Sequence, residues 1–201
     1  MTISLSPLDQ SRFGPVTAKV EIGPDEDLPA MLAECAQRQV EFLIARCPAQ
    51  HVRKVQELEQ LGLLLADTLV YWRKDAIAGG QEALPAGFAA RLAAADDAPE
   101  VERLAARAFH GYAGHYHADA RLDPARCDEV YSSWAASACA ARGPGTGMIL
   151  LAATDTGRIA GFAALRRCDD AEFDGMLFAV DPACQGRGLF SVLLDLSQQW
   201  G

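Results

Sequence analysis

The feature that most constrains this chain is the change of pattern between Phe178 and Trp200, FAVDPACQGRGLFSVLLDLSQQW. An apolar run from Met176 to Val180 stops at Asp181-Pro182, because proline has no N–H with which to continue a ladder. A glycine-bearing loop follows, Cys184-Gln185-Gly186-Arg187-Gly188. Leu189, Val192, Leu193, Leu196 and Trp200 then recur at the spacing of one helix face. The first N–H groups of such a helix have no partner inside it. The helix dipole favours negative charge there by up to ~2 kcal/mol, and each bond from such an N–H to an ionised oxygen adds roughly 1.5–3 kcal/mol. Glycines at 186 and 188 let a ligand approach the backbone with no Cβ in the way. Strand, glycine loop and helix start together have the form of a pyrophosphate cradle, although many helices begin after a glycine for geometry alone.

The order of residues narrows the choice. Val180-Asp181-Pro182, then Gln185 and Gly188, closely resemble the acetyl-CoA loop of the GCN5-related N-acetyltransferases. That family's signature is Gln or Arg, two residues, Gly, one residue, then Gly or Ala, after a strand ending in Val-x-Pro. Phe190 stands where Gly or Ala is usual; the pattern tolerates it in the first helical turn, with its ring turned into the core. The resemblance implies that acetyl-CoA is the co-substrate, held by Phe178, Ala179, Val180, Gln185, Gly186, Arg187, Gly188, Leu189, Phe190 and Ser191.

At 201 residues the chain is long enough for one domain or one and a half, burying roughly 70% of its unfolded surface. Half the residues are apolar and under a quarter charged, as in soluble globular proteins. No run reaches the ~18 apolar residues of a membrane helix, and Met1 to Asp9 lacks the layout of a signal peptide. The six cysteines are scattered without metal spacing. Reduced, buried thiols in a cytoplasmic protein are therefore expected. A net charge of −9 disfavours a nucleic-acid surface, which needs a basic stripe. An anionic small ligand remains compatible, since loop amides and one or two arginines act locally.

In chain order, residues 15–22 partly alternate and predict a strand. Asp25-Glu26-Asp27 crowd acid onto the start of an apolar-periodic run, predicting a helix from near Asp25. Val40–Cys47 reads as a strand, 49–60 as a helix and Leu63–Arg73 as a third strand. Lys74 to Gly87, with Gly79-Gly80 and Pro85, is the expected boundary between residues 1–80 and 81–201. Beyond it come a strand at Phe88–Ala93, a helix opened by Asp96-Asp97 and Pro99, and a polar aromatic stretch at 110–123. A helix from Pro124 to Ala141 is broken by Gly143-Pro144-Gly145. A hairpin of Met148–Ala153 with Arg158–Leu165 and a strand at Glu172–Val180 complete the pattern.

This order is also that of the acetyltransferase fold, so the resemblance covers residues 88–201. It implies an α/β (α+β) fold of the acyl-CoA N-acyltransferase kind. A mixed, mostly antiparallel sheet is flanked by helices and preceded by a smaller strand-helix-strand half-domain. Asp9 with Phe13-Gly14, and His115-Tyr116-His117-Ala118-Asp119 ahead of Tyr131 and Trp134, resemble the TDP-amino-sugar N-acetyltransferases, where a degenerate half-domain comes first. In the family a further strand, a helix and two closing strands follow the 189–200 helix, and that later part carries the tyrosine credited as general acid. The expectation is accordingly a chain lacking its C-terminal strands, inactive and poorly soluble alone.

Acetylation of an amine by a thioester needs a neutral amine, a polarised carbonyl and a proton for the thiolate. The resemblance implies that strand N–H groups near Phe178 to Val180 hold the thioester oxygen. Asp174 occupies the position of an acidic base in many relatives, although charged strand-end residues usually serve only as solvated surface. Tyr112, His115, Tyr116 and Asp119 could line an acceptor pocket for a nucleotide-linked amino sugar, or merely cover a surface loop. His115 and His117 lack a third ligand, so no metal is expected. Cys184 reads as a small filler, and Trp134 and Trp200, at helical spacing, as core. The function expected is direct acetyl transfer from acetyl-CoA to a small-molecule amine, with neither nucleic acid nor membrane as partner and a homodimer compatible. The alternatives are a non-catalytic acyl-CoA-binding or regulatory module, or an acetyltransferase acting on a protein or polyamine amine.

Overall fold

The computed structural model describes residues 2–75, 83–141, 145–170 and 172–200. These form two compact units, one of residues 1–70 with 113–126, the other of 71–112 with 127–201. The segment 113–126 thus joins the first unit from the middle of the second, which no linear division at residue 80 expresses. Residues 76–82 of the expected boundary, and Gly143 and Pro144 of the expected helix break, lie outside the described residues.

The first unit opens with β1 (Ser4–Leu5) and α1 (Pro7–Phe13), followed by β2 (Thr17–Glu21), α2 (Leu28–Gln37), β3 (Phe42–Arg46) and α3 (Val52–Gln60). The sequence reading had no helix at 7–13, yet Ser6-Pro7 is a helix-start pair with proline at the first helical position. Asp27 rather than Asp25 starts α2, its carboxylate accepting the Ala30 N–H at 2.9 Å. β2 pairs antiparallel with β1 and parallel with β3, and the parallel pair uses α2 as its crossover. Alternation along β2 turns Ala18 and Val20 into a core shared with Leu28, Met31, Cys35 and Leu58.

The predicted strand at Leu63–Arg73 does not form. Its residues have no regular secondary structure and pair with no strand among the described residues. Leu64, Leu65, Leu69, Val70, Tyr71 and Trp72 all stay exposed, Trp72 at 93%. An apolar run is compatible with a buried strand, but a strand exists only through its ladder.

In the second unit come β4 (Phe88–Leu92), α4 (Ala98–Ala108), α5 (Pro124–Ala140, which crosses the division at residue 127), β5 (Thr146–Ala153), β6 (Ile159–Arg167), β7 (Phe173–Val180) and α6 (Leu189–Gln198). The sheet order is β4-β5-β6-β7, antiparallel throughout. Because successive side chains point to opposite faces, the continuous apolar runs of β5 and β6 feed two cores. Met148, Leu150, Phe162, Ala164, Leu177 and Ala179 pack with Val101, Leu104 and Ala105 of α4 and Ala135 and Cys139 of α5. Ile149, Leu151, Ala163, Leu165 and Val180 pack with Leu189, Val192 and Leu193 of α6.

Trp200 packs partly buried against this second core, but Trp134 does not join a core. It is 40% exposed, leaning on Tyr131 with ring centroids 6.3 Å apart. The six cysteines are all free; Cys35, Cys127 and Cys139 are buried, whereas Cys168 is exposed. The expectation of uniformly buried thiols therefore fails at Cys168, which follows β6 where the sheet is no longer covered.

Gly161 is the contact that sets α6 close to the sheet. A Cβ there would lie 2.9 Å from the Ala179 carbonyl oxygen and 3.3 Å from both the Leu193 and Val180 side chains. Backbone cannot retreat from a methyl group without parting β6 from β7. Gly161→Ala is expected to destabilise the second unit by about 1–3 kcal/mol, as overpacking does, read as a lower urea midpoint with unchanged slope.

Candidate active site

At the end of β7 the Asp181 N–H donates to the Ala160 carbonyl at 2.8 Å. Bonded and non-bonded pairs alternate along an antiparallel ladder. Counting back, Ala179 turns its backbone groups toward β6, while Phe178 (opposite Ala163) and Val180 (opposite Gly161) turn theirs outward. The position of the Ala179 oxygen against Gly161 agrees. β7 is an edge of the sheet, so the outward N–H and C=O groups of Phe178 and Val180 face no strand among the described residues. Between Ala164 and Leu165 the register slips, leaving Met176 without an opposite residue. Such a bulge bends the strand just before these groups.

A single 3-10 turn, Pro182–Cys184, follows, with the Cys184 N–H bonded to the Asp181 carbonyl at 2.7 Å. Gly186 and Gly188 then adopt φ of +74° and +76°, the left-handed region that glycine enters without steric cost. Gly188 is the N-cap of α6 and supplies no side-chain acceptor. The first intrahelical bond runs from the Val192 N–H to the Gly188 carbonyl, 3.2 Å. The N–H groups of Gly186, Arg187, Gly188, Leu189, Phe190 and Ser191 consequently have no acceptor among the described residues. These are the orphan donors of a helix start, gathered on one loop together with the exposed Arg187. The donor set matches an anion with several oxygens, such as a pyrophosphate.

A family model described as "Acetyltransferase (GNAT) family" matches residues 99–201, just over half of the chain. The chain belongs to this family. Its mixed α/β architecture, an antiparallel sheet flanked by helices, is the GNAT fold. Among solved structures it is similar to a GCN5-related N-acetyltransferase from Sphaerobacter thermophilus, with 24% identity over 59% of this chain and 33% of that one and a TM-score of 0.41. It is also similar to one from Rhodopseudomonas palustris, described as a GCN5-related N-acetyltransferase and as an aminotransferase, class-II. There the identity is 22% over 59% of this chain and 68% of that one, with a TM-score of 0.39. The chain spans about a third of the length of the first of these. No curated protein matches it.

Within this GNAT domain Phe190 does lie in the first turn of α6, but its ring is not in the core. It is half exposed, 6.0 Å from the ring of Phe178, because the inward positions of that turn belong to Leu189, Val192 and Leu193. Cys184 packs partly buried beside the α6 core. Asp174 is paired with Arg166 at 2.6 Å. The Arg166 guanidinium, and after it the Cys168 thiol, hold its carboxyl below the usual range, which makes it a weaker proton acceptor.

The candidate acceptor residues are divided between the two units. Tyr112 is exposed in the second unit, edge-on to Phe109 and Tyr131. The other three lie in the first unit. Tyr116 is 6% exposed and its hydroxyl donates to Asp9 at 2.9 Å. His115 lies tilted against Tyr116 with centroids 4.1 Å apart, and burial pushes its imidazole below the ordinary histidine value. Asp119 accepts both Nε and Nη2 of Arg121, and those bonds lower its carboxyl. His117 accepts the Gly114 N–H through Nδ1. Among the described residues no three His, Cys, Asp or Glu side chains converge as a metal site.

Two buried carboxylates organise these regions. Asp181 is taken up below. Asp9, 2% exposed, accepts from Ser6 Oγ at 2.6 Å, from Tyr116 and from Lys19 Nζ at 2.6 Å. Burial alone would raise its carboxyl, but the three donors outweigh it and hold the group below its ordinary value near 3.8. A depressed folded value stabilises the unit above the unfolded value and is lost as pH falls through the folded one. Unfolding by urea should therefore show an acid-side loss of stability below that value, and Asp9→Asn should remove this component while costing about 1–3 kcal/mol at neutral pH through poorly matched buried donors. The curve of wild type minus variant against pH is the check.

Proposed function

We propose that this chain is an acetyl-CoA-dependent N-acetyltransferase that transfers the acetyl group directly to an amine. The observation that carries this reading is the set of unbonded N–H groups from Gly186 to Ser191, placed beside the outward N–H groups of Phe178 and Val180 in a GNAT domain. Gln185 to Ser191 would hold the pyrophosphate of acetyl-CoA, and Phe178 to Val180 its arm and acyl end. When bound, the co-substrate supplies a thioester whose acyl carbon an amine can attack. The chain's own part is to orient that group and to stabilise negative charge on its oxygen with fixed N–H donors.

The acceptor we propose is an amino sugar linked to a nucleotide. Exposed Tyr112, set against Phe109 and Tyr131, offers the kind of aromatic surface on which a base stacks. Of the other acceptor candidates, His115 and Asp119 keep partly accessible side chains, while the Tyr116 hydroxyl is already bonded to Asp9. Asp174 is the proposed proton acceptor, and its pairing with Arg166 favours a second reading, a non-catalytic acyl-CoA-binding module. The cytoplasm and a homodimer belong to the proposal as its setting. No helix among the described residues is long and apolar enough to cross a membrane.

Calorimetric titration with CoA followed by an amine-acceptor screen separates the readings. CoA binding with turnover of a nucleotide-linked amino sugar supports the first; binding without turnover of any amine supports the second. Gly188→Asp, which puts a side chain at φ +76° and a charge at the loop, should weaken CoA binding by at least about tenfold. Unchanged affinity removes the loop from the site. Asp174→Asn should lower turnover by about 10²–10⁴ if the carboxylate is the base, with CoA affinity unaltered.

A further inference from the structure

Asp181 is 2% exposed and lies directly between β7 and the glycine loop. Each of its polar groups is engaged. Its N–H donates to the Ala160 carbonyl and its own carbonyl accepts the Cys184 N–H. Oδ1 accepts the Ala183 N–H at 3.0 Å. Oδ2 accepts one guanidinium N–H from Arg107 of α4 and one from Arg158, just before β6, each at 2.6 Å. The next residue, Pro182, has its φ set by the ring. From there to Gly186 the turn is held by the Cys184 bond and a 3.5 Å contact from the Gln185 N–H to the Pro182 carbonyl, the latter near the limit for a hydrogen bond. The start of the 182–188 path is therefore held by Asp181, through its carboxylate on the Ala183 N–H and its carbonyl on the Cys184 N–H.

The charge arrangement points the same way. A buried carboxylate this near a loop of anion-binding amides would repel a phosphate. Two half-exposed guanidinium groups offset Asp181 and the nearby Glu100, which accepts the Ile159 N–H beside Arg158, so the neighbourhood is balanced rather than negative.

We propose that Asp181, held by Arg107 and Arg158, is the positioning residue of the phosphate loop, fixing the exit from β7 so that the N–H groups of Gly186 to Ser191 stay open in one direction. This rests on the acetyl-CoA reading of the loop. Asp181 touches no substrate; it acts through the backbone it orients.

The test combines CoA titration with amide hydrogen exchange on the whole chain. Asp181→Ala removes both the turn acceptor and the charge, and Asp181→Asn keeps an acceptor for the Ala183 N–H. Asp181→Ala is expected to weaken CoA binding about tenfold or more, the loss of charge-assisted bonds. Exchange should speed up at Ala183, Cys184 and Gln185 while protection in β5 and β6 is retained. Asp181→Asn should fall between wild type and Asp181→Ala. For an amine identified by the screen, KM for acetyl-CoA should rise with kcat held within roughly twofold. Unchanged CoA affinity and exchange in Asp181→Ala overturn the proposal. So does uniform loss of protection across β5 and β6, which would make Asp181 a stability residue only. If neither variant folds, Arg158→Gln decides: about threefold weaker CoA binding, the scale of one partly exposed ion pair, with faster exchange at Cys184 supports the role, and no change overturns it. If wild type itself does not bind CoA, the acetyltransferase reading falls, and the exchange pattern still judges the positioning role.

Discussion

Coverage of both faces of the β5–β6 pair is the constraint on which the second unit depends. Those strands are apolar at every position in their central stretch, so a layer of helix on one side alone would leave half of them in water. α4 and α5 cover one face and α6 the other. Because α6 must press down on Gly161, its start lies just beyond the end of β7, with only residues 181–188 between strand and helix. That short span turns a packing requirement into an arrangement of open backbone donors. The first-turn donors of α6 and the outward backbone groups of β7 come together because one core demands it.

Charge is arranged locally within a chain that is acidic overall. With a net −9, the charge of the whole chain does not favour an anion, so the proposed phosphate recognition rests on short-range donors. The main-chain amides of residues 186–191 would meet that need without adding mobile side chains. The buried carboxylates follow the complementary rule. Asp9 and Asp181 each lie out of water, and each is surrounded by enough donors to remain ionised. In both cases local donors are joined by at least one from far along the chain, so each carboxylate also joins distant segments of its own unit. Tyr116 ties 113–126 to the first unit in this way, and Arg107 ties α4 to the strand end in the second.

Elements whose evidence is local were legible in the residues themselves. The helices at 98–108 and 124–140 follow from periodicity and proline starts, and the 146–167 hairpin from two apolar runs about a turn. The loop at 185–188 declared itself through glycines whose positive φ no other residue adopts as cheaply. Elements that depend on a partner were misread. Leu63–Arg73 has the composition of a strand and no ladder. Trp134 has helical spacing but sits at the margin of its helix face. Phe190 occupies the expected turn while its ring stays outside, because the inward seats were already filled.

By itself the sequence determined which segments could form helices, which runs needed burial, and where a turn of glycines would bare the backbone, since each rests on chemistry within a few residues. Only the tertiary structure decided what those segments meet: that Arg107 and Arg158 converge on Asp181 from 74 and 23 residues away, that Asp174 is paired, and that β7 stands at an edge. Such facts depend on long-range closure of the chain, and neither periodicity nor local spacing carries that information.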